Sequence, residues 1–312
     1  MNTEIFQNNK RYNTFDNYCK RVFGTKIAKV PLNCGFTCPN RDGKLSYGGC
    51  IYCSPMASGD FAGSVELSVE NQFLQITEKI NSKWKDVKYI PYFQAGSNTY
   101  APIDVLRDKY EQALALPEVV GISIATRPDC ISDEVLEYLS EIHNRTFLQL
   151  EIGLQTIHDK TSKIINRQHT YEDFYECYNK LYNKGINVCI HLINGLPGEN
   201  RQQMLESVRV VNSLRPHSVK LHMLHILKDT YAATMYERGE IVCFEKDDYV
   251  NLVCDQLELL NENIVIERIT GDGSRENLIA PLWSIKKFDV INGVDKELKL
   301  RNSYQGIRSK EN

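Results

Sequence analysis

The sequence predicts an α/β protein built as a partial (β/α)6 barrel, similar to an incomplete TIM barrel, with a C-terminal extension. Six short apolar segments of strand length alternate with longer segments whose apolar residues recur at helical spacing. Such alternation is typical of a parallel sheet with helical crossovers. Because six units are too few to close an eight-stranded barrel, a partial barrel is favoured. A doubly wound sheet is the alternative.

Each unit joins a predicted strand to a predicted helix. In both folds the loops that follow the carboxyl ends of the strands build the active site. The strands are expected at Lys26–Leu32, Lys88–Phe93, Val119–Thr126, Phe147–Leu154, Ile186–Ile193 and Ser218–Leu224. The helices are expected at Val69–Trp84, Ile103–Leu116, Ser132–Ile142, Tyr171–Lys184 and Arg201–Leu214.

The alternation of strands and helices stops near residue 246. Residues 1–246 are therefore predicted to form the barrel with its N-terminal segment, and residues 247–312 to form an extension packed on it. The extension is expected to contain an extra helix, a strand near Ile264–Arg268 and a tail.

Composition limits the class of protein. Hydrophobic residues make up 42% and charged residues 25%, as in ordinary globular proteins. No run of 18 apolar residues occurs, and the first ten residues lack the apolar core of a secretory signal. A cytoplasmic protein without membrane contact is expected. The net charge of −3 argues against a dominant electrostatic grip on nucleic acid.

Ten cysteines are present, and six of them are scattered singly, as expected for buried apolar residues. The other four, with spacing C-x3-C, eleven residues and C-x2-C, follow the first predicted strand. Thiolates at such spacing bind either an iron–sulfur cluster or a structural zinc ion. Position at the catalytic edge of the barrel favours the cluster. These four residues are Cys34, Cys38, Cys50 and Cys53.

The run Cys-Gly-Phe-Thr-Cys-Pro-Asn-Arg-Asp-Gly, followed by Gly-Gly-Cys-Ile-Tyr-Cys, resembles the YhcC/YtqA family of the radical S-adenosylmethionine (SAM) superfamily. The superfamily's usual C-x3-C-x2-C motif is not present in one piece, which leaves Cys34 and Cys38 as alternatives for the first ligand. The resemblance implies that Cys38, Cys50 and Cys53 bind a [4Fe–4S] cluster. It further implies that SAM chelates the open iron and is cleaved to a 5′-deoxyadenosyl radical.

The same resemblance implies contacts to SAM at the ends of the second and third strands. The segment containing Gln94, Gly96 and Asn98 follows the second strand, where related enzymes bind the amino group of SAM. Arg127 follows the third strand and has a planar fork that suits a carboxylate.

Further contacts are implied from the fourth strand onward. Glu151 and Gln155 lie on one face of that strand and suit the ribose hydroxyls, although a buried Glu151–Arg127 pair is an alternative. Arg167 belongs to an Arg-x-His element near SAM, or else to a surface turn. The last implied contacts are Asn194 and Gly195, in a Gly-Leu-Pro-Gly-Glu element that lies against adenine, and His222 on the sixth strand.

The resemblance extends to the radical SAM domain of the Elongator catalytic subunit and implies a tRNA substrate. The YtqA branch implies conversion of wobble 5-carboxymethylaminomethyluridine to 5-aminomethyluridine, with an electron donor such as flavodoxin or ferredoxin. A radical SAM enzyme for a small metabolite or peptide, and a non-catalytic zinc-binding scaffold, are the alternatives. Candidate tRNA contacts are the aromatic residues Trp283, Tyr92 and Tyr100 and the basic residues Lys286, Lys287, Lys299 and Arg301.

Overall fold

A seven-stranded parallel sheet forms the centre of the protein. The structure, a computed structural model, describes residues 4–57, 59–271, 273 and 275–310. The strands of the protein, seven of which form this sheet, are β1 (Lys26–Leu32), β2 (Val87–Phe93), β3 (Gly121–Thr126), β4 (Phe147–Gln155), β5 (Asn187–Asn194), β6 (Ser218–Met223), β7 (Ile226–Leu227), β8 (Val265–Arg268) and β9 (Leu278–Ala280).

The helices cover the outside of this sheet. Most of them begin at a Ser, Thr or Asn whose side chain accepts a hydrogen bond from the first turn, as Ser132 does from the Val135 amide. Their bounds are α1 (Phe15–Phe23), α2 (Val69–Asn81), α3 (Ile103–Leu114), α4 (Asp133–His143), α5 (Asp159–Ile164), α6 (Tyr171–Asn183), α7 (Arg201–Leu214), α8 (Tyr231–Glu237), α9 (Lys246–Leu259) and α10 (Lys287–Leu300).

The strand order of the sheet is β1-β2-β3-β4-β5-β6-β8, and every neighbouring pair is parallel. Strands β7 and β9 form a separate antiparallel pair. All seven carboxyl ends therefore meet at one edge, where the active site of such a fold is built. The predicted fold class is confirmed, and the six predicted strands agree with the observed ones to within two residues at each end.

The sheet curls into a half-barrel. Lys29 in β1 and Glu267 in β8 lie on the two outermost strands, yet Lys29 Nζ is 2.6 Å from Glu267 Oε2. A parallel bridge between Thr14 and Ile266 adds a further contact at the seam. The segment expected at Ile264–Arg268 as part of an extension is thus the seventh strand of the barrel sheet.

The hydrophobic core fills the space between the strands and the outer helices. Val30, Ile124, Leu150 and Val219 are fully buried members of it, one from each of four strands. Helices α9 and α10 pack against each other, and α9 also contacts α7. Among the residues that the structure describes, no helix combines the length and the apolarity needed to cross a bilayer.

Helices α1, α5, α8 and α10 were not predicted from the sequence, and α10 lies where only a tail was expected. Helix α1 shows why a short helix is missed. Thr14 caps its start and Gly24 ends it with a left-handed φ of 70°. The helix has only nine residues, so its apolar positions are too few to make the helical period obvious.

Candidate active site

The long loop after β1 carries the clustered cysteines; we call residues 33–68 the cluster loop. Cys38, Cys50 and Cys53 line a cavity of about 300 Å³ at the carboxyl edge of the barrel. Cys34 does not line it and packs, partly buried, against the hydrophobic core. Burial raises the pKa of the Cys34 thiol to about 11. The fold therefore separates Cys34 from the other three cysteines.

Nitrogen donors surround two of the cavity sulfurs. Asn40 Nδ2 lies 3.5 Å from Cys50 Sγ, and Arg41 Nη1 lies 3.5 Å from Cys53 Sγ. Arg167 Nη1 adds a longer contact of 3.7 Å to Cys50 Sγ. Such donors stabilise negative charge on thiolates and tune the reduction potential of a cluster.

The cluster loop is fastened to the loop after β2 at Gly96. Gly96 N–H donates to Ala57 O at 3.0 Å, and Ser97 N–H donates to Thr37 O at 3.0 Å. Gly96 has a φ of 76°, and a Cβ atom there would stand 2.2 Å from Phe36 O. Only glycine allows this approach of the two backbones.

The spacing of the cavity thiols differs from that of a single-metal site. In the described ranges, Glu151, Cys189 and His191 are the only three ligand-type side chains whose ligand atoms all lie within 4.8 Å of one another. A tetrahedral zinc ion with Zn–S bonds of about 2.3 Å needs sulfurs about 3.8 Å apart. The sulfurs of Cys38, Cys50 and Cys53 are not all within 4.8 Å of one another, and thiolates are the ligands of iron–sulfur clusters.

Seven of the ten residues expected to contact SAM line this cavity, and three do not. Asn98 donates from Nδ2 to Ala125 O at 2.8 Å. Asn194 exchanges amide hydrogen bonds of 2.9 and 2.7 Å with Gln256, and Gly195 lies beside it at a separate small void. The seven in the cavity are Gln94, Gly96, Arg127, Glu151, Gln155, Arg167 and His222.

The guanidinium of Arg127 is engaged by its own chain. Its Nε and Nη2 atoms both donate to the Asp129 carboxylate at 2.8 Å. Its Nη1 donates to Arg167 O at 3.0 Å. The fork expected to bind a cofactor carboxylate therefore holds the backbone at Arg167, whose own side chain is buried. Gln168 and Thr170 next to it are exposed, and Thr170 caps α6 as the turn interpretation expected. The alternative pairing of Arg127 with Glu151 is wrong.

A β-bulge aims Gln155 into the cavity. The register of β4 against β5 shifts between Gly153 and Gln155, and Gln155 has a φ of 72°. Its Oε1 is buried with no hydrogen-bond partner. A Cβ atom on Gly153 would lie 2.7 Å from Arg167 Nη2, so this wall needs glycine. An unpartnered acceptor in the wall fits the hydroxyl and amine donors of SAM.

The floor of the cavity is a buried network of charged side chains centred on Glu151. Glu151 Oε1 accepts from Lys29 Nζ at 2.6 Å and from Ser123 Oγ at 2.9 Å. Glu151 Oε2 accepts from Tyr92 Oη and His191 Nε2, both at 2.8 Å, and from Lys220 Nζ. The carboxylate is fully satisfied and is not free to bind a ribose.

Lysines and glutamates of the floor face one another, and Arg268 also lines the cavity. Glu267 Oε2 accepts from Lys29 at 2.6 Å, so two lysines face two glutamates. Burial opposes ionisation of Glu151, but Lys220 and Lys29 hold its pKa well below the ordinary value. Burial lowers the pKa of both His191 and His222, which keeps their rings neutral.

Sequence reasoning missed several of these residues. Asn40 and Arg41 belong to the recognised cysteine motif, but the motif alone did not indicate that their side chains contact the cysteine sulfurs. Lys29, His191 and Glu267 stand singly on β1, β5 and β8, and no spacing along the chain connects them. A polar residue within a mostly apolar strand is the sequence signal for His191, and Glu267 at the polar end of its short strand has no such signal.

The expected tRNA contacts divide into internal and exposed residues. Trp283 donates from Nε1 to Phe244 O at 2.9 Å, and Tyr92 lies inside the barrel. Arg301 is paired with Asp255 and Glu297. These three are therefore engaged in internal contacts. Tyr100 is partly buried, and the exposed ones are Lys286, Lys287 and Lys299.

Phe61 lies at the entrance of the cavity and was not predicted. It lines the cavity, yet 52% of its surface is exposed. The segment that carries it is held by a hydrogen bond of 2.9 Å between Ser54 Oγ and Asp60 Oδ2. An aromatic ring is thus presented to solvent beside the cysteines.

The chain belongs to the radical SAM superfamily. The superfamily's sequence model matches residues 33–211, and the Radical_SAM C-terminal domain matches residues 216–300. The cofactors of this superfamily are a [4Fe–4S] cluster and SAM. Membership in it therefore excludes the interpretation as a zinc-binding scaffold.

Two relatives match nearly the whole chain. It is 50% identical to uncharacterized protein YtqA of Bacillus subtilis over 95% of its length and 92% of the relative. It is 34% identical to protein YhcC of Escherichia coli over 93% of both. A more distant relative is the tRNA uridine(34) acetyltransferase of Methanocaldococcus infernus, 24% identical over 49% of this chain and 29% of that protein. The solved structure of M. infernus Elp3 with an N-terminal deletion shares the fold, with a TM-score of 0.66, 18% identity, and coverage of 89% of this chain and 64% of that one.

Proposed function

We propose that this radical SAM enzyme modifies tRNA, converting the wobble 5-carboxymethylaminomethyluridine side chain to 5-aminomethyluridine. The observation that carries the proposal is a single cavity with cluster-type thiols on one wall and a buried His–Glu–Lys network at its floor. The cavity of about 300 Å³ is at the lower limit for a small-molecule site and admits a nucleoside side chain more readily than a folded polymer.

The cluster is assigned to Cys38, Cys50 and Cys53. These residues would hold the cluster, and the cluster and SAM would supply radical chemistry for hydrogen abstraction from the substrate. Asn40, Arg41 and Arg167 orient the thiolates through their N–H groups, as the donor–sulfur distances of 3.5 to 3.7 Å support.

The SAM contacts are assigned to the cavity residues between the cysteines and the floor. Gln155 offers its unpartnered Oε1, and Gly96 and Gly153 leave room beside it. Arg127 acts indirectly by holding the backbone of Arg167. Gln94 completes this wall.

A tRNA substrate is supported by the entrance of the cavity and by the distant relatives. Bases that leave a stack are commonly held by aromatic rings, and Phe61 presents such a ring half-exposed at the entrance. One distant relative is named for action on uridine 34 of tRNA. Exposed Lys286, Lys287 and Lys299 are suited to phosphates.

This substrate also indicates the surroundings of the enzyme. We place it in the cytoplasm with tRNA. A low-potential electron donor such as flavodoxin or ferredoxin is required to reduce the cluster.

Nucleoside mass spectrometry tests the substrate. Total tRNA from a strain lacking the gene is compared with tRNA from the parent and from a strain complemented with wild-type or Cys50→Ala protein. We expect 5-carboxymethylaminomethyluridine to accumulate and 5-aminomethyluridine to fall, with restoration by the wild-type protein alone. An unchanged wobble-nucleoside profile contradicts the tRNA assignment and favours a metabolite or peptide substrate.

A further inference from the structure

His191 stands in the wall of the cavity with one ring nitrogen engaged and the other available. Its Nε2 lies 2.8 Å from Glu151 Oε2. The His191 side chain is 16% exposed, while Glu151 is completely buried. The histidine thus bridges the buried network and the space where a substrate binds.

The ionised carboxylate determines which nitrogen of His191 carries the proton. Lys29 and Lys220 keep Glu151 ionised, and an ionised carboxylate only accepts hydrogen bonds. His191 Nε2 therefore carries the hydrogen and donates it to Glu151. No group in the described part of the chain forms a hydrogen bond with Nδ1. This atom is not fully buried, and it therefore faces the cavity as an acceptor.

The surroundings keep this imidazole neutral. Burial and the Lys220 cation lower the pKa of His191, and Glu151 opposes them only in part. A neutral imidazole with a fixed tautomer is the form that accepts a proton at neutral pH. The titratable and charged groups around it are Lys29 from β1, Tyr92 from β2, Glu151 from β4, Cys189 from β5, Lys220 and His222 from β6, and Glu267 and Arg268 from β8.

We propose that His191 Nδ1 is the proton acceptor for the amine of the substrate side chain. This proposal rests on the proposed function, whose substrate carries a secondary amine that is protonated at neutral pH. One N–H bond of the ammonium breaks, and the bond from Nδ1 to that proton forms. The positive charge moves to the imidazolium, whose Nε2–H stays hydrogen-bonded to the Glu151 carboxylate. The freed nitrogen lone pair then stabilises a radical on the adjacent carbon, which an ammonium cannot do.

The tautomer and the pKa of His191 are measured without tRNA. The reconstituted enzyme with its oxidised cluster is labelled with ¹⁵N-histidine, and the His191 signal is assigned by its loss in His191→Gln. We expect the Nε2-protonated tautomer and a titration midpoint below the ordinary imidazole pKa of about 6.5. An Nδ1-protonated ring, or a midpoint at or above 6.5, overturns the proposal whatever the substrate is.

Kinetics then test the proton transfer itself, with His143→Gln on helix α4 as the matched control. We expect His191→Gln to form 5-aminomethyluridine roughly 10² to 10⁴ times more slowly than wild type, with little change in KM for tRNA. Wild-type kcat/KM should fall with falling pH only below about 6.5, because protonation removes the acceptor. Free imidazole should restore part of the activity of His191→Ala.

The outcomes separate the two proposals. Wild-type enzyme that leaves tRNA unmodified contradicts the proposed function. Wild-type enzyme that modifies tRNA, with His191→Gln matching its rate and pH profile, overturns the role of His191 alone. If His191→Gln does not fold, judged by its thermal unfolding against His143→Gln, the wild-type pH profile decides: an acidic limb above 6.5 overturns the proposal.

Discussion

The cluster loop and the floor of the barrel face the same cavity but are built in different ways. The cluster loop is a contiguous segment whose shape depends on backbone hydrogen bonds and on glycine, as at Gly96. The floor is assembled from single side chains of separate strands, joined through Glu151. The loop is suited to hold a cluster near solvent, and the floor holds its charged groups in the buried interior.

The two regions are built differently because each kind of chemistry needs a different support. Thiolates that bind a metal cluster need close spacing along the chain and nearby N–H donors, which one loop supplies. A proton acceptor with a defined tautomer needs a rigid partner, which the strands supply through Glu151 and His191.

The largest expected effect comes from breaking the cluster loop at Cys50. Cys50→Ala removes a proposed ligand, so the reconstituted protein should lose most of its iron and all detectable SAM cleavage. Iron analysis, visible absorbance and 5′-deoxyadenosine assays measure this. Cys34→Ala is the matched control, because Cys34 packs outside the cavity. Equal iron loss in both variants would contradict the assignment of Cys38 as the first ligand.

Breaking the floor at Glu151 should affect stability more than any surface change. Glu151→Gln leaves Lys29 and Lys220 buried without this carboxylate, at a cost of about 3–5 kcal/mol in the free energy of unfolding. Chemical denaturation measures the change. Glu141→Gln, which breaks an exposed pair with Arg107, should cost at most about 1 kcal/mol. Similar losses in the two variants would show that the network does not stabilise the fold.

Acid should weaken the floor for the same reason. The folded pKa values of Glu151 and Glu267 lie below the ordinary glutamate value, because the buried lysines oppose the effect of burial. Their contribution is therefore complete above the ordinary value and is lost as the pH falls through the folded values. Unfolding midpoints measured from pH 7 downward should drop in wild type and drop less in Glu151→Gln.

The smallest expected effect concerns the entrance. Phe61→Ala should weaken tRNA binding by about 1–3 kcal/mol, which is roughly 5- to 150-fold in Kd, because base–aromatic stacking is lost. Tyr47→Ala is the control, since Tyr47 is 78% exposed in the same loop and does not line the cavity. Filter binding at fixed salt measures both. Equal affinities for the two variants would remove Phe61 from the tRNA site.

The same contrast explains what the sequence could predict. The strands, the five helices that follow them and the cysteine motif are predicted by local periodicity and spacing, and their alternation favours the half-barrel over a doubly wound sheet. The pairing of Lys29 with Glu267 requires the curl of the sheet, since the two residues are far apart in the chain. Asn98 and Asn194 show what a motif cannot predict. Their side chains already form hydrogen bonds with the Ala125 carbonyl and with Gln256, and these partners cannot be read from the position of a residue in a motif.

The central claim is that SAM and the substrate side chain bind in the same cavity. Measuring hydrogen transfer from the substrate to 5′-deoxyadenosine tests this claim most directly. The reduced enzyme is incubated with SAM and with tRNA whose carboxymethylamino group carries deuterium on the methylene carbon. The 5′-deoxyadenosine that forms is analysed by mass spectrometry. We expect deuterium in 5′-deoxyadenosine, formed together with 5-aminomethyluridine. Deuterium-free 5′-deoxyadenosine alongside the modified product would contradict this claim.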